Sequence, residues 1–227
     1  QISLGWSLDH KAEKVYLDVS ATVLPGTDSA RSLAEMAQAK SHFAGFLVSG
    51  AAVTGNWLSQ VPTGDVAVLA EAIQTLRPKA MEEIDRKAES AEQAKVQKEL
   101  VGDLLDVIQK TVASGRADTA MSLVLGPEAV TLVAGGYVAD GPTLEKTLKR
   151  VAEIARTQHP DAVNQVLKLD AGQCKGVNLH TVSIPVPQDV PDRDNAVKLT
   201  GQTLDIVIGV GKESVYVSAG RDAMKVL

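Results

Sequence analysis

The stretches "LGPEAVTLVAGG" (125–136) and "VGKESVYVSAGR" (210–221) are one phrase written twice, and their reading decides the fold. At an offset of 85 they superpose without a gap. Gly126 falls on Gly211, Glu128 on Glu213, Val130 on Val215, Ala134 on Ala219 and Gly135 on Gly220. The apolar runs "SLVL" and "AVTLVAGGYV" flank "GPEA", and "DIVIGV" and "VYVSAG" flank "GKES". β-Branched apolar runs separated by Gly and Pro predict two β-hairpins. A weaker third copy, "KAEKVYLDVSA" (11–21), matches at an offset of 115, with Glu13 on Glu128 and Val15 on Val130.

The likeness continues downstream. "LPGTDSARSLAEMAQA" (24–39) lies over "ADGPTLEKTLKRVAEI" (139–154), so that Gly26 meets Gly141 and Leu33 meets Leu148. Thr27, Asp28 or Thr143 can cap a helix there, and Leu144, Leu148, Val151 and Ala155 recur at helical spacing. Each unit reads strand, turn, strand, loop, helix, with repeats near residues 2–40, 119–156 and 203–227.

Elsewhere, "FAGFLVSGAAV" (43–53) predicts a long strand and "SQVPTGD" (59–65) a loop with Asp65 as helix cap. Val66, Leu69, Ile73 and Leu76 form a helical stripe that Pro78 kinks or ends. Residues 79–99 are the most polar stretch, read as a solvated helix face or a protruding helical hairpin. Glu82–Arg86, Glu83–Lys87 and Lys95–Glu99 stand at ion-pairing spacing there. The apolar stripe returns from Leu100 to Val112 and ends at Gly115, which places a long charged helical segment around 79–113. "QVLKLDAG" and "GVNLHTVSIPV" predict strands joined by a turn in "DAGQCKG", and 188–202 reads as a loop with at most one helical turn.

These readings predict an α+β fold. Its large, strongly twisted antiparallel sheet is built from repeated strand–strand–helix units, with helices mainly on one face. The chain of 227 residues is expected to be one domain and a piece of a longer protein, since it begins at Gln1. Aromatics make up only 3%, so the core must be aliphatic and stacking platforms for single strands or sugars are disfavoured. A net charge of −5 without a basic patch argues against nucleic acid. No apolar run approaches the roughly 18 residues of a membrane span.

The familiar chemistries are absent from the pattern. "GVGKES" (209–214) has Ile206 where a P-loop needs its first Gly, and Glu213 where it needs Ser or Thr. The glycines of "GAAVTGNW" (50–57) are wrongly spaced for a dinucleotide fingerprint. His10, His42, His159 and His180 show no metal-ligand spacing, and His180 reads as part of a sheet face. Cys174, the only cysteine, reads as an ordinary thiol, with His180 the nearest base in sequence. Asp189, Asp192 and Asp194 lack the Gly and distal Glu of an EF-hand loop. Glu13, Glu128 and Glu213 read as turn residues. The expectation is therefore no catalytic, cofactor-binding or metal-binding residue, and no cofactor.

"GVNLHTVSIPVP" with "TLDIVIGVGKESVYVSAGRDAMKVL" resembles secreted bacterial proteins of unknown function, of the planctomycete type. The likeness is strong over the last third and loose in the middle. It implies an exported parent chain, secreted or periplasmic, and no activity. The layout is also similar, at the level of fold alone, to periplasmic lipoprotein carriers. The functional expectation is a non-enzymatic extracytoplasmic protein that binds an apolar ligand, such as a lipid, or another protein, or is purely structural. The alternative is a hydrolase-like enzyme whose site lies largely in other parts of the parent chain. A cleft gathering His180, Cys174 and an acid would favour that alternative.

Overall fold

The computed structural model describes residues 2–11, 14–27, 30–31, 34, 40–127, 129–189, 191–221 and 223–226. The chain forms two compact units, Gln1–Ala39 and Lys40–Leu227. The first contains a hairpin of β1 (Ile2–Asp9) and β2 (Lys14–Ala21). Strict alternation puts Ile2, Leu4, Trp6 and Leu8 on one face, with Val15 opposite Leu8 and Leu17 opposite Trp6. These six side chains are exposed.

The second unit carries seven strands: β3 (Val53–Gln60), β4 (Arg116–Leu125), β5 (Val130–Tyr137), β6 (Leu167–Cys174), β7 (Val177–Pro185), β8 (Thr203–Val210) and β9 (Ser214–Gly220). They form one antiparallel sheet in the order β3-β4-β5-β9-β8-β7-β6. Its helices are α1 (Thr63–Lys87), α2 (Ala91–Ala113), α3 (Gly141–Gln158), α4 (Pro160–Val166), α5 (Arg193–Thr200) and α6 (Ala223–Val226). The fold is thus α+β with an antiparallel sheet, as the repeated phrase predicts.

The two hairpins correspond residue for residue at the offset of 85. Leu125 pairs with Val130 and Val210 with Val215 across four-residue connections. Each turn is closed by the same bond, Gly126 N to Ala129 O at 2.8 Å and Gly211 N to Ser214 O at 2.9 Å. They meet at β5 and β9, where Thr131 pairs with Gly220 and Gly135 with Tyr216. Shifting by 85 exchanges these two pairs and carries Val133–Ser218 onto itself. A local two-fold therefore passes through that central pair. It extends outward: Val53–Leu123 between β3 and β4 matches His180–Ile208 between β7 and β8. Glycines with left-handed backbone, Gly115 (φ 65°) and Gly201 (φ 93°), follow the helices that precede β4 and β8, one position out of step with that offset. The hairpin β1–β2 has the same connection length, but Asp9 pairs with Lys14. Its turn matches 126–129 at an offset of 116 rather than 115, so Val15 corresponds to Thr131. In a strand, one residue of slip exchanges the faces.

Several local expectations are corrected. Residues 43–53 do not form a strand; a 3-10 turn occupies Ala44–Phe46 and the strand begins at Val53. The segment 41–48 instead straps across one sheet face. The buried Asp118 carboxylate accepts Ser41 Oγ at 2.6 Å and the His42 amide at 3.0 Å. Ser122 Oγ accepts the Val48 amide at 2.9 Å and donates to Phe46 O at 2.6 Å. Between these staples Phe43 and Phe46 lie against Tyr216, over Gly135, where a Cβ would come within 2.8 Å of both rings. Tertiary contacts override the strand propensity of an apolar run.

The expected loop at 59–65 is shorter, since β3 reaches Gln60 and α1 starts at Thr63. Asp65 is not its cap; it sits in the first turn, where a negative charge favours the helix dipole. Pro78 does not end α1, which runs on to Lys87. Packing of α1 against α2, with ion pairs Arg77–Asp106 and Lys98–Asp85, holds the helix through the proline. The polar stretch is a helical hairpin broken at 88–90, where Ser90 Oγ accepts the Gln93 amide and Gln93 Oε1 accepts the Glu89 amide. Glu83 pairs with Lys87 as spaced and also with Arg86. Glu99 pairs with Arg150 of α3.

The turn expected within 170–176 shrinks to Lys175–Gly176, with φ of 49° and 80° as a tight hairpin demands, and β6 instead bulges between Lys168 and Gly172. Finally, the expected loop at 188–202 contains the eight-residue α5. Among the described residues no helix is long and apolar enough to cross a membrane.

Candidate functional site

Cross-strand register sorts the sheet into two unlike faces, because directly paired residues point to the same side. The strap covers the face bearing Asp118, Ser122, Gly135, Tyr216, Ser218 and Val207. The other face is almost wholly apolar. One row across it reads Trp57, Thr119, Gly136, Val215, Val210. The next reads Gly55, Met121, Ala134, Val217, Ile208, His180, and a third Val53, Leu123, Leu132, Ala219, Ile206, Val182.

Helix α3 reaches this face at the β7 end, where Glu145 contacts Asn178. Its start is fixed by Asp140, which accepts the Thr143 amide and pairs with Lys110 of α2. Lys110 beside it, with Thr143, holds the Asp140 carboxyl down at about 2. Gly141 donates to Lys212 O at 3.0 Å and abuts the β8–β9 turn so closely that a Cβ would overlap Gly211 O.

At the β3 end the same face is open. Trp57 is 67% exposed, and Val53 and Met121 are exposed beside it. A groove of about 550 Å³ runs from Trp57 to Val68 and Leu69 of α1, both exposed. A shallower one of about 270 Å³ lies over Met121, Ala134, Val215 and Val217. Both open to solvent.

At the covered end stands a cluster the sequence reading did not single out. His180 is 1% exposed, and its Nδ1 accepts the Asp170 amide at 3.1 Å. Its Nε2 has no hydrogen-bond partner and faces Glu145 Oε1 at 3.6 Å. Lys149 Nζ sits 2.8 Å from both Glu145 Oε1 and Asp170 Oδ1, and Asn178 donates to both Glu145 oxygens at 3.0 Å. Burial lowers the pKa of His180, against the pull of Glu145 and Asp170, so the ring is held neutral. Burial works to raise Glu145, but Lys149 and Asn178 outweigh it and keep the carboxyl below its ordinary value. Lys149 likewise lowers Asp170.

Glu145, Asp170 and His180 bring one ligand atom each within 4.8 Å of one another, the one such group among the described residues. The donor set nevertheless fits a metal poorly. An amide can only donate, so Nδ1 is bare and the neutral ring carries its proton on Nε2, the atom that would have to ligate. Lys149 already supplies the positive charge between the carboxylates. The cluster is a partly buried ion-pair network in which one lysine bridges two carboxylates beside a buried neutral imidazole.

The other candidates lie outside this cluster, and of them Cys174 and His42 line one groove. Cys174 is exposed on β6 and borders a groove of about 340 Å³ with Phe46, Leu179 and Tyr216, on the strap face, whereas His180 points to the opposite face. No thiol–imidazole pair is assembled between them. His10, His42 and His159 are exposed, and the His42 amide serves Asp118. Asp192 and Asp194 flank the start of α5, and with Asp189 they form no ligand cluster among the described residues. Glu213 is exposed in the β8–β9 turn, where the backbone of 211–214 is spent on the turn bond and on α3. Glu13 and Glu128 lie outside the described residues.

The signal for the His180 cluster was present but thin: Asn178 and His180 stand at alternate positions of the strand, where the same face continues with Val182 and Ile184. Their partners are 33 and 10 residues away in sequence. Comparison of the chain with family models, with curated proteins and with solved structures finds no match.

Proposed function

We propose that this chain is a non-enzymatic module that docks another protein on the open half of its apolar sheet face, with Trp57 as the anchor. The observation that carries the reading is the exposure of Trp57, Val53 and Met121 together on a face that is mostly apolar. Contiguous exposed apolar surface marks interaction sites, and Trp and Met are enriched at the centres of interfaces. A protein partner fits better than a lipid. Sites for small apolar ligands enclose about 70–90% of the guest, and both grooves here are open to solvent. We place the module outside the cytoplasm on the strength of the resemblance of its last third to secreted bacterial proteins.

The test is a photo-crosslinking residue at position 57 of the full chain, expressed in its native cells, with a control at Ser183 on the strap face. A discrete protein adduct from 57 and none from 183 is the expected result. No adduct, or the same adducts from both positions, overturns the reading. Lipid adducts or co-purifying lipid from 57 alone would replace it with the apolar-ligand reading.

A further inference from the structure

We propose that β3 is a pairing edge, and that a second copy of this chain joins it antiparallel, β3 to β3, to continue the sheet across a two-fold axis. The inference concerns the edge and not the apolar face, and it stands whether or not that face takes a partner.

The two edges of the sheet differ in kind. At β6 the strand bulges between Lys168 and Gly172, Asp170 adopts a left-handed backbone (φ 50°), and its carboxylate is tied inward to Lys149. Bulges and charges are how proteins blunt an edge. β3 has none of these devices. "VTGNWLSQ" carries no charge and no proline, and all eight of its residues pair with β4 in unbroken register. It is as long as β6 and exposed along most of its length.

The local two-fold says what is missing. It equates β3 with β7, since Val53–Leu123 maps onto His180–Ile208 and Trp57–Thr119 onto Ile184–Leu204. β7 is an interior strand with β6 bonded to its outer side. Among the described residues no strand bonds to the equivalent outer side of β3. The segment that precedes β3, and so corresponds to β6 in chain order, is the strap; Asp118 and Ser122 hold it over the face instead.

The occupant must present an extended backbone to the free N–H and C=O groups of β3. A second copy offers one of the same length. Because β3 is uncharged, its antiparallel self-approach brings no like charges together. Around a two-fold perpendicular to the sheet the faces are preserved, so the exposed Trp57 side chains of both copies fall on one side, within reach of each other. Of the two edges of the seven-stranded sheet only β3 lacks a blunting device among the described residues, so pairing through it closes that sheet at two copies.

The test is sedimentation of the full chain at about 50 μM, with far-UV circular dichroism and thermal melting as folding controls. The expected mass is twice 23.9 kDa. Thr54 and Asn56 are exposed on β3 on the strap face, so Thr54→Lys with Asn56→Lys leaves the apolar face untouched. That variant is expected to run at 23.9 kDa with an unchanged melting temperature and a dimer dissociation constant raised at least about 100-fold. Hydrogen exchange on the unmodified chain gives a second readout that no folding failure can spoil: amides of 53–60 gain protection with concentration while those of 167–174 do not. A monomer at this concentration, a dimer that survives both lysines, growth beyond two copies, or concentration-independent exchange at 53–60 overturns the proposal.

Discussion

Replacing Asp118 by Ala removes the main fastening of the strap. The carboxylate is 1% exposed and accepts from Ser41 Oγ, from the His42 amide and from Arg116 at 3.2 Å. Hydrogen bonds to a charged group contribute about 1.5–3 kcal/mol each. Arg116 is one-third exposed and stays stacked over Tyr137, so water replaces its share. The Ser41 and His42 bonds are lost without replacement, and the expected loss is about 3 kcal/mol, a large part of the ~5–15 kcal/mol of a typical domain. Urea unfolding followed by circular dichroism reads it. Asp118→Asn keeps one acceptor oxygen but turns an NH2 toward the same donors, so its loss should fall between those of the wild type and Asp118→Ala. Hydrogen exchange adds a local readout, with the His42 and Val48 amides losing protection before the sheet does. The acid limb is affected too. Burial works to raise Asp118, but Ser41, His42 and Arg116 outweigh it, so the folded carboxyl titrates below its unfolded value. Its contribution is then present above about pH 4 and lost as pH falls through the folded value. Asp118→Ala should lack that part of the acid sensitivity. A loss under about 0.5 kcal/mol, or unchanged protection at 42–48, would refute the stapling role of Asp118.

Two further outcomes test the covered end of the sheet. Gly141→Ala should cost at least about 2 kcal/mol, since its Cβ would overlap the Gly211 carbonyl and loosen the Lys212 bond at the start of α3. Gly126→Ala, whose Cβ would sit an ordinary 3.4 Å from Ala129 O, should cost under about 0.5 kcal/mol; equal melting temperatures for the two variants would contradict the packing account. His180 titrates below its unfolded value of about 6.5, so the unfolded chain binds the extra proton in that window. Stability is full above about pH 6.5 and should fall at lower pH by up to about 1.4 kcal/mol per unit until the folded value is passed. His180→Gln keeps an acceptor for the Asp170 amide, and the wild-type-minus-variant difference should be flat if His180 has no such role.

The fold class, the pair of hairpins and the helix after the first of them were legible in the chain because they are local. A strand's alternation, a turn's glycine and a helix's stripe are each written within a dozen residues, and a repeat doubles the signal. The third copy was misplaced by one residue because a short apolar run tolerates a slip that its turn does not. The strap, the unbroken helix through Pro78 and the His180 network could not be read this way. Phe43 and Phe46 look like strand residues until Gly135 and Tyr216 offer them a surface, and Pro78 looks like a stop until α2 packs alongside. Glu145 and Asp170 are ordinary surface acids in sequence, and only the pairing of β6 with β7 and the docking of α3 bring them to His180. Periodicity determined which residues make strands and helices. The tertiary structure alone decided which apolar surface stays open and which edge stays unpaired, because both depend on neighbours contributed by distant parts of the chain.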